Sequence, residues 1–186
     1  MWRRPGRRAD DAGDAFVQLG RGAMQVYDAA TSSLISRLVG AILGRKVHVV
    51  AGDWRGVVYG VDGEPRAQPA SVWIFDPSTM GCDPTVDLAT FTRLLPTQAM
   101  LDAVCAAEFD QWLARSGNSR LEPAECAPVM PPQLVTGEVS ATRADMAMPI
   151  ADYLIYCGKA LRVMKDLGLQ SGDPVPPDFG ERINRI

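Results

Sequence analysis

The stretch Arg45-Lys46-Val47-His48-Val49-Val50-Ala51-Gly52-Asp53-Trp54-Arg55-Gly56-Val57-Val58-Tyr59-Gly60-Val61-Asp62 decides the fold class. Before it, apolar residues recur at helical spacing; within it, they recur every second residue. Leu34, Leu38 and Ile42, with Ile35 and Val39 beside them, make one apolar stripe that runs to Leu43. Such a stripe predicts an amphipathic helix, with Thr31, Ser32 and Ser33 as N-cap candidates and Gly44 as its stop. Val47, Val49 and Ala51 then alternate with His48 and Val50, which predicts a strand. Gly52-Asp53 predicts a tight turn, and Trp54–Val61 a second strand centred on Val57, Val58 and Tyr59. Gly56 falls inside that second strand, where a missing side chain predicts a bend or a close backbone approach.

On the N-terminal side, Phe16, Leu19, Ala23, Met24 and Tyr27 recur at spacings that predict a helix over 14–30. On the C-terminal side, Gly60 to Pro69 is rich in turn residues. Ser71–Asp76 carries Val72, Trp73, Ile74 and Phe75 and reads as the clearest strand. Pro77 to Pro84 reads as a loop, and Val86–Leu95 as two short strands or one bent strand. A flat sheet of five such strands does not bury both faces by itself, so a small, strongly bent barrel is expected. Pro96-Thr97 then opens a helix with Leu101, Val104, Cys105, Phe109, Trp112 and Leu113 on one face, ended by Ser116-Gly117. Residues 118–132 are proline-rich and irregular. Gln133–Ser140, with Leu134, Val135 and Val139, predicts an isolated strand. Pro149 suits the first turn of a helix. Ile150, Tyr153, Leu154, Cys157, Leu161, Met164 and Leu167 form that helix's apolar face, and Gly168 caps it. Residues 169–186 carry three prolines and read as a C-terminal tail.

The chain has 186 residues, 47% hydrophobic and 22% charged, the balance of one globular domain or two small ones. No apolar run reaches membrane-spanning length, and no basic-then-apolar leader opens the chain. A cytoplasmic or nuclear location is therefore expected. The net charge of −3 hides a basic start of Arg3, Arg4, Arg7 and Arg8. Without those four arginines, 15 basic residues face 22 acidic ones, a net charge of −7. So acidic a body argues against direct RNA or DNA binding, which draws its affinity from cations on phosphates. The arginines invite a nucleic-acid arm or a targeting peptide, but Asp10, Asp11 and Asp14 follow at once. A disordered tail over 1–13 is the expectation.

No catalytic constellation is legible. Cys82, Cys105, Cys126 and Cys157 form no Cys-x-x-Cys pair, and Cys105 and Cys157 fall on apolar helix faces as buried thiols. The lone histidine, His48, stands among apolar strand residues, with no nucleophile motif beside it. Gly20-Arg21-Gly22 follows no strand signal and precedes no Lys-Ser/Thr, so it is no phosphate loop. No catalytic residue, cofactor or metal ligand is expected.

The helix, the strand opening Arg45-Lys46-Val47-His48-Val49 and the run Gly52-Asp53-Trp54-Arg55-Gly56-Val57-Val58-Tyr59-Gly60-Val61-Asp62 together resemble the first half of the Sm-like fold. Gly56 and Asp62 match that family's Gly and Asp, and the resemblance covers residues 34–96. It implies a five-stranded Sm-like or SH3-like barrel with an N-terminal helix over 14–96. It also implies association by edge-strand pairing. Two family features of RNA binding are missing: Gly63-Glu64-Pro65 replaces the Asn after the Asp, and residues 86–95 hold no Arg-Gly pair. The chain is therefore similar to the divergent Gemin-type Sm-like subunits of the SMN complex. The element order over 97–168 resembles their helical, anticodon-binding-like module, though Gly137-Glu138-Val139 stands where Pro-Pro-Tyr is usual.

The expected fold is α+β, and the expected role is that of a non-catalytic scaffold subunit paired with other Sm-like subunits in a ribonucleoprotein-type assembly. Val86, Leu88, Phe91 and Arg93 are the candidate edge-strand interface. An alternative is a Tudor-like barrel that reads methylated arginine or lysine peptides through an aromatic cage. Its candidates are Trp54, Tyr59, Trp73 and Phe75. Trp73 and Phe75 share a strand face, whereas Trp54 and Tyr59 are expected on opposite faces.

Overall fold

The structure, a computed structural model, describes residues 15–63, 70–138 and 143–186. The first strands, β1 (Val17–Leu19) and β2 (Met24–Val26), replace the helix expected over 14–30. Gly20, Arg21 and Gly22 all take positive φ, so the chain reverses there instead of continuing a helical turn. The helix α1 (Ala29–Leu43) follows. Its cap is Asp28, whose Oδ1 accepts the Thr31 N–H at 2.8 Å, and Gly44 ends it at φ 67°.

Strands β3 (Val47–Asp53), β4 (Val58–Asp62), β5 (Ser71–Asp76) and β6 (Gly81–Asp87) come next. Strand β5 has the expected limits. Strand β3 absorbs Gly52 and Asp53, because both pair with β2, opposite Gln25 and Met24. The turn therefore falls at Trp54-Arg55-Gly56, and the second strand starts only at Val58. The expected loop over 77–84 becomes half of β6, since Gly81 to Asp83 pair with Ile74 to Asp76.

All six strands pair antiparallel in the order β1-β2-β3-β4-β5-β6. The ends β1 and β6 do not meet, so the sheet is open and no closed barrel forms. The expectation of closure rested on the need to cover both faces. Helices do that instead. After β6 the chain enters α2 (Leu88–Leu94), α3 (Gln98–Ala103) and α4 (Ala106–Ser116). Farther on come the short ladder of β7 (Glu125–Cys126) with β8 (Met148–Pro149), and α5 (Gln133–Thr136). The chain closes with α6 (Ile150–Leu167) and α7 (Phe179–Arg185).

Period two decides which core each strand residue enters. Val49, Val58, Trp73 and Phe75 face a core shared with α1, α6 and α7. Tyr59, Val61 and Val72 face the opposite core, shared with Phe91 of α2, Met100 of α3, and Phe109 and Trp112 of α4. Residues on both sides of position 96 enter each core. Each fully buried aromatic side chain there is worth about 3–5 kcal/mol against alanine.

Other expectations also change. The strand expected over 133–140 is the helix α5 as far as the described residues go; Val139 and Ser140 lie outside them. Gly137 takes φ 70° and ends α5 with its N–H on the Gln133 carbonyl at 2.7 Å. The expected tail over 169–186 contains α7, whose Phe179 and Ile183 are buried beside α6. The long helix expected from Thr97 breaks at Cys105, which takes φ 57°. Cys105 is accordingly half-buried, whereas Cys157 is buried as expected. The arginines at 3, 4, 7 and 8, the acids at 10, 11 and 14, and the tail over 1–13 lie outside the described residues.

Candidate functional site

The β3–β4 turn is the polar centre of the molecule. Asp53 has a fully buried carboxylate. Its Oδ1 accepts the Arg55 N–H at 2.9 Å, and its Oδ2 accepts the Arg55 guanidinium at 2.6 Å and the Tyr59 hydroxyl at 3.0 Å. Burial opposes the Arg55 charge, but the Asp53 carboxylate outweighs it and holds the guanidinium protonated. Burial, with Asp53 adding to it, pushes the Tyr59 hydroxyl well above its ordinary range. Arg143 approaches from the far segment, donating to the Ala127 and Arg55 carbonyls, with its guanidinium carbon 4.8 Å from the Trp54 ring centre. Trp54 Nε1 donates to the Val104 carbonyl at 2.7 Å. Gly56, at φ 86°, leaves room for the Tyr153 ring, which would stand 2.8 Å from a Cβ there. This centre ties the sheet to the C-terminal segments. Among the described residues, every buried side-chain nitrogen and oxygen atom has a hydrogen-bond partner.

Trp54, Tyr59, Trp73 and Phe75 do not form an accessible cage. Trp54 and Tyr59 are buried in one core and Trp73 and Phe75 in the other, on opposite faces of the sheet. The expected split of Trp54 from Tyr59 fails because Trp54 lies in the turn, outside strand alternation. A methylated side chain has no open rim at these four positions. Gly56 lies in the turn and bends no strand. Asp62 ends β4, where it pairs with Arg45 and accepts Trp73 Nε1 at 3.1 Å.

The candidate interface is also redistributed. Val86 lies on the exposed edge strand β6, but Leu88, Phe91 and Arg93 lie on α2. Asp87 is the reason: its carboxylate accepts the Thr90 N–H at 2.8 Å and starts a helix. Phe91 is buried, stacked on Tyr59 with ring centres 5.4 Å apart, and Arg93 is exposed. Pro84 and a break in register shorten the part of β6 that a strand could join.

Two of the surface concavities among the described residues bear on function. One, of about 460 Å³, is lined by Ser33, Ser36, Arg37, Arg45, Lys46 and His48. Two of these side chains hold the fold: Ser36 Oγ accepts the Val49 N–H at 2.8 Å, and Arg45 pairs with Asp62. The other, of about 440 Å³, is a groove between α1 and α6. Leu38, Ile42, Leu154, Ile155 and Leu161 line it, with Lys159, Arg162 and Lys165 along α6. Ile155 is 42% exposed, although it stands on a helix with a large buried face. The sequence marks Leu38, Ile42, Leu154 and Leu161 as apolar helix-face residues, and the surplus of apolar surface over 14–43 as a sign of assembly, but it singles out neither Ile155 nor the α6 cations. That surplus shows in α1, where Leu34, Leu38 and Ile42 extend the apolar stripe beyond its buried Ile35 and Val39.

Among the described residues, no group of three or more His, Cys, Asp or Glu side chains is arranged to hold a metal ion. No helix among them is long and apolar enough to cross a membrane. Comparison with protein-family models, with curated proteins and with solved structures finds no match for the chain.

Proposed function

We propose that this chain is a non-catalytic, protein-binding subunit of a larger assembly. The observation that carries the reading is the open apolar groove between α1 and α6, with exposed aliphatic side chains on an otherwise well-packed fold. Exposed, contiguous apolar surface on a folded chain favours burial against a partner. The ionisable centre around Asp53 supports the same reading, because its groups are bonded to one another and hold the turn. The test is purification of the tagged full chain from its own cells under gentle conditions, followed by mass spectrometry and mass measurement of the complex. A protein partner in fixed ratio is expected. A chain recovered alone, as a monomer, would overturn the reading.

A second reading, an Sm-like subunit that pairs through sheet edges, has the exposed β6 strand in its favour. Val86→Lys on that edge separates the two. It should abolish association if the edge is the contact, and leave the complex intact if the groove is.

A further inference from the structure

Resting on that partner-binding reading, we propose that the α1–α6 groove receives an acidic amphipathic helix from a different protein. The floor is aliphatic, built from Leu38, Ile42, Leu154, Ile155 and Leu161. The α6 side of the groove carries Lys159, Arg162 and Lys165 against one carboxylate, Asp166. Positions 159, 162 and 165 recur at helical spacing, so the three cations stand on one side of α6. None of them forms an ion pair among the described residues. Two of the chain's three lysines lie here, on a body whose remaining charge is strongly negative. The local charge thus opposes the global one, and complementarity selects an acidic occupant.

The backbone selects a helix. Both walls of the groove are α-helices, whose main-chain groups are satisfied internally, so a strand would find no ladder to join. A helix brings its own hydrogen bonds and needs only an apolar stripe for the floor. Gly158 helps shape that floor: a Cβ there would lie 3.3 Å from Ile42, so the glycine lets α1 and α6 approach closely. Along α6 the groove runs from Leu154 to Asp166, about 18 Å at the helical rise, enough for about three turns of a partner helix. The floor offers no aromatic platform for stacked bases, which disfavours nucleic acid as the occupant.

The test uses the full chain in its own cells, with a photo-crosslinking amino acid at position 155. In parallel, the triple variant Lys159→Glu/Arg162→Glu/Lys165→Glu is purified, and its fold is checked by circular dichroism. Cross-links to a net-acidic segment with apolar residues at i, i+3, i+4 and i+7 are expected, with at least tenfold less partner recovered by the folded triple variant. Equal recovery of the partner by that variant overturns this inference while the partner-binding reading stands. So do cross-links confined to a second copy, to RNA or to lipid, or no cross-link from position 155 while the partner is still recovered. Loss of fold in the triple variant shifts the decision to Ile155→Glu, for which the same tenfold loss is required. If the unmodified chain retains no protein partner, the partner-binding reading fails and this inference with it.

Discussion

Asp53 shows how one side chain binds distant segments together. Its carboxylate is fully buried, and four donors converge on it from Arg55 and Tyr59. Removing one member of a buried ion pair leaves the other charge without its partner. Because the Arg55 side chain stays 23% exposed, water offsets part of that loss. Asp53→Asn should therefore lower stability by about 2–4 kcal/mol in urea denaturation, and Tyr59→Phe by about 1 kcal/mol. Equal effects for the two would mean that the charge is not the organising feature. His48 gives the pH dependence. Burial lowers its pKa, so the folded state favours the neutral ring. The unfolded chain then takes up the proton first, and the His48 contribution is complete above about pH 6.5 and declines as pH falls through the folded value. Between pH 7.5 and 5, His48→Gln should lose less stability than the unaltered chain, as read from urea midpoints. An identical loss would place the titration elsewhere.

At the scale of elements, α2 marks the point where local capping overrides β-favouring composition. Leu88, Phe91 and Leu94 allow a helical face as readily as a bent strand, and Asp87 with Thr90 decides for the helix. Leu88 is the first helical residue, a position that tolerates proline. Asp87, at φ −67° and ψ 157°, already has the extended backbone that a following proline requires. Leu88→Pro should therefore leave α2 intact. It removes one hydrogen bond, from Leu88 N–H to the Ala70 carbonyl at 2.9 Å, worth about 1 kcal/mol. Hydrogen exchange at Phe91 and Thr92 is the measurement, and loss of their protection would contradict the capping account.

Across the whole molecule, the sheet has no self-sufficient face. Val49 and Phe75 share one core with α6 residues, and Tyr59 and Val72 share the other with residues of α4. A fragment of residues 1–96 would expose both sets together. It should show collapsed amide dispersion by NMR, restored when residues 97–186 are supplied in the same cell. A well-dispersed spectrum of the fragment alone would show a barrel-like unit that folds without the helices.

Local spacing made α1, β3, β5 and α6 legible, because each carries a sharp period and a clear stop such as Gly44 or Gly168. It misplaced the β1–β2 hairpin, since Phe16, Leu19, Met24 and Tyr27 fit a helical period by chance while Gly20-Arg21-Gly22 set the turn. It also missed the groove, since Ile155 and Lys159 look like ordinary helix residues until α1 lies beside them. The sequence by itself determined the α+β class and the segments that carry apolar surface. Only the tertiary structure decided that the sheet stays open. A run such as Val72-Trp73-Ile74-Phe75 records that both strand faces must be covered, and the choice between barrel closure and flanking helices depends on residues far away in the chain.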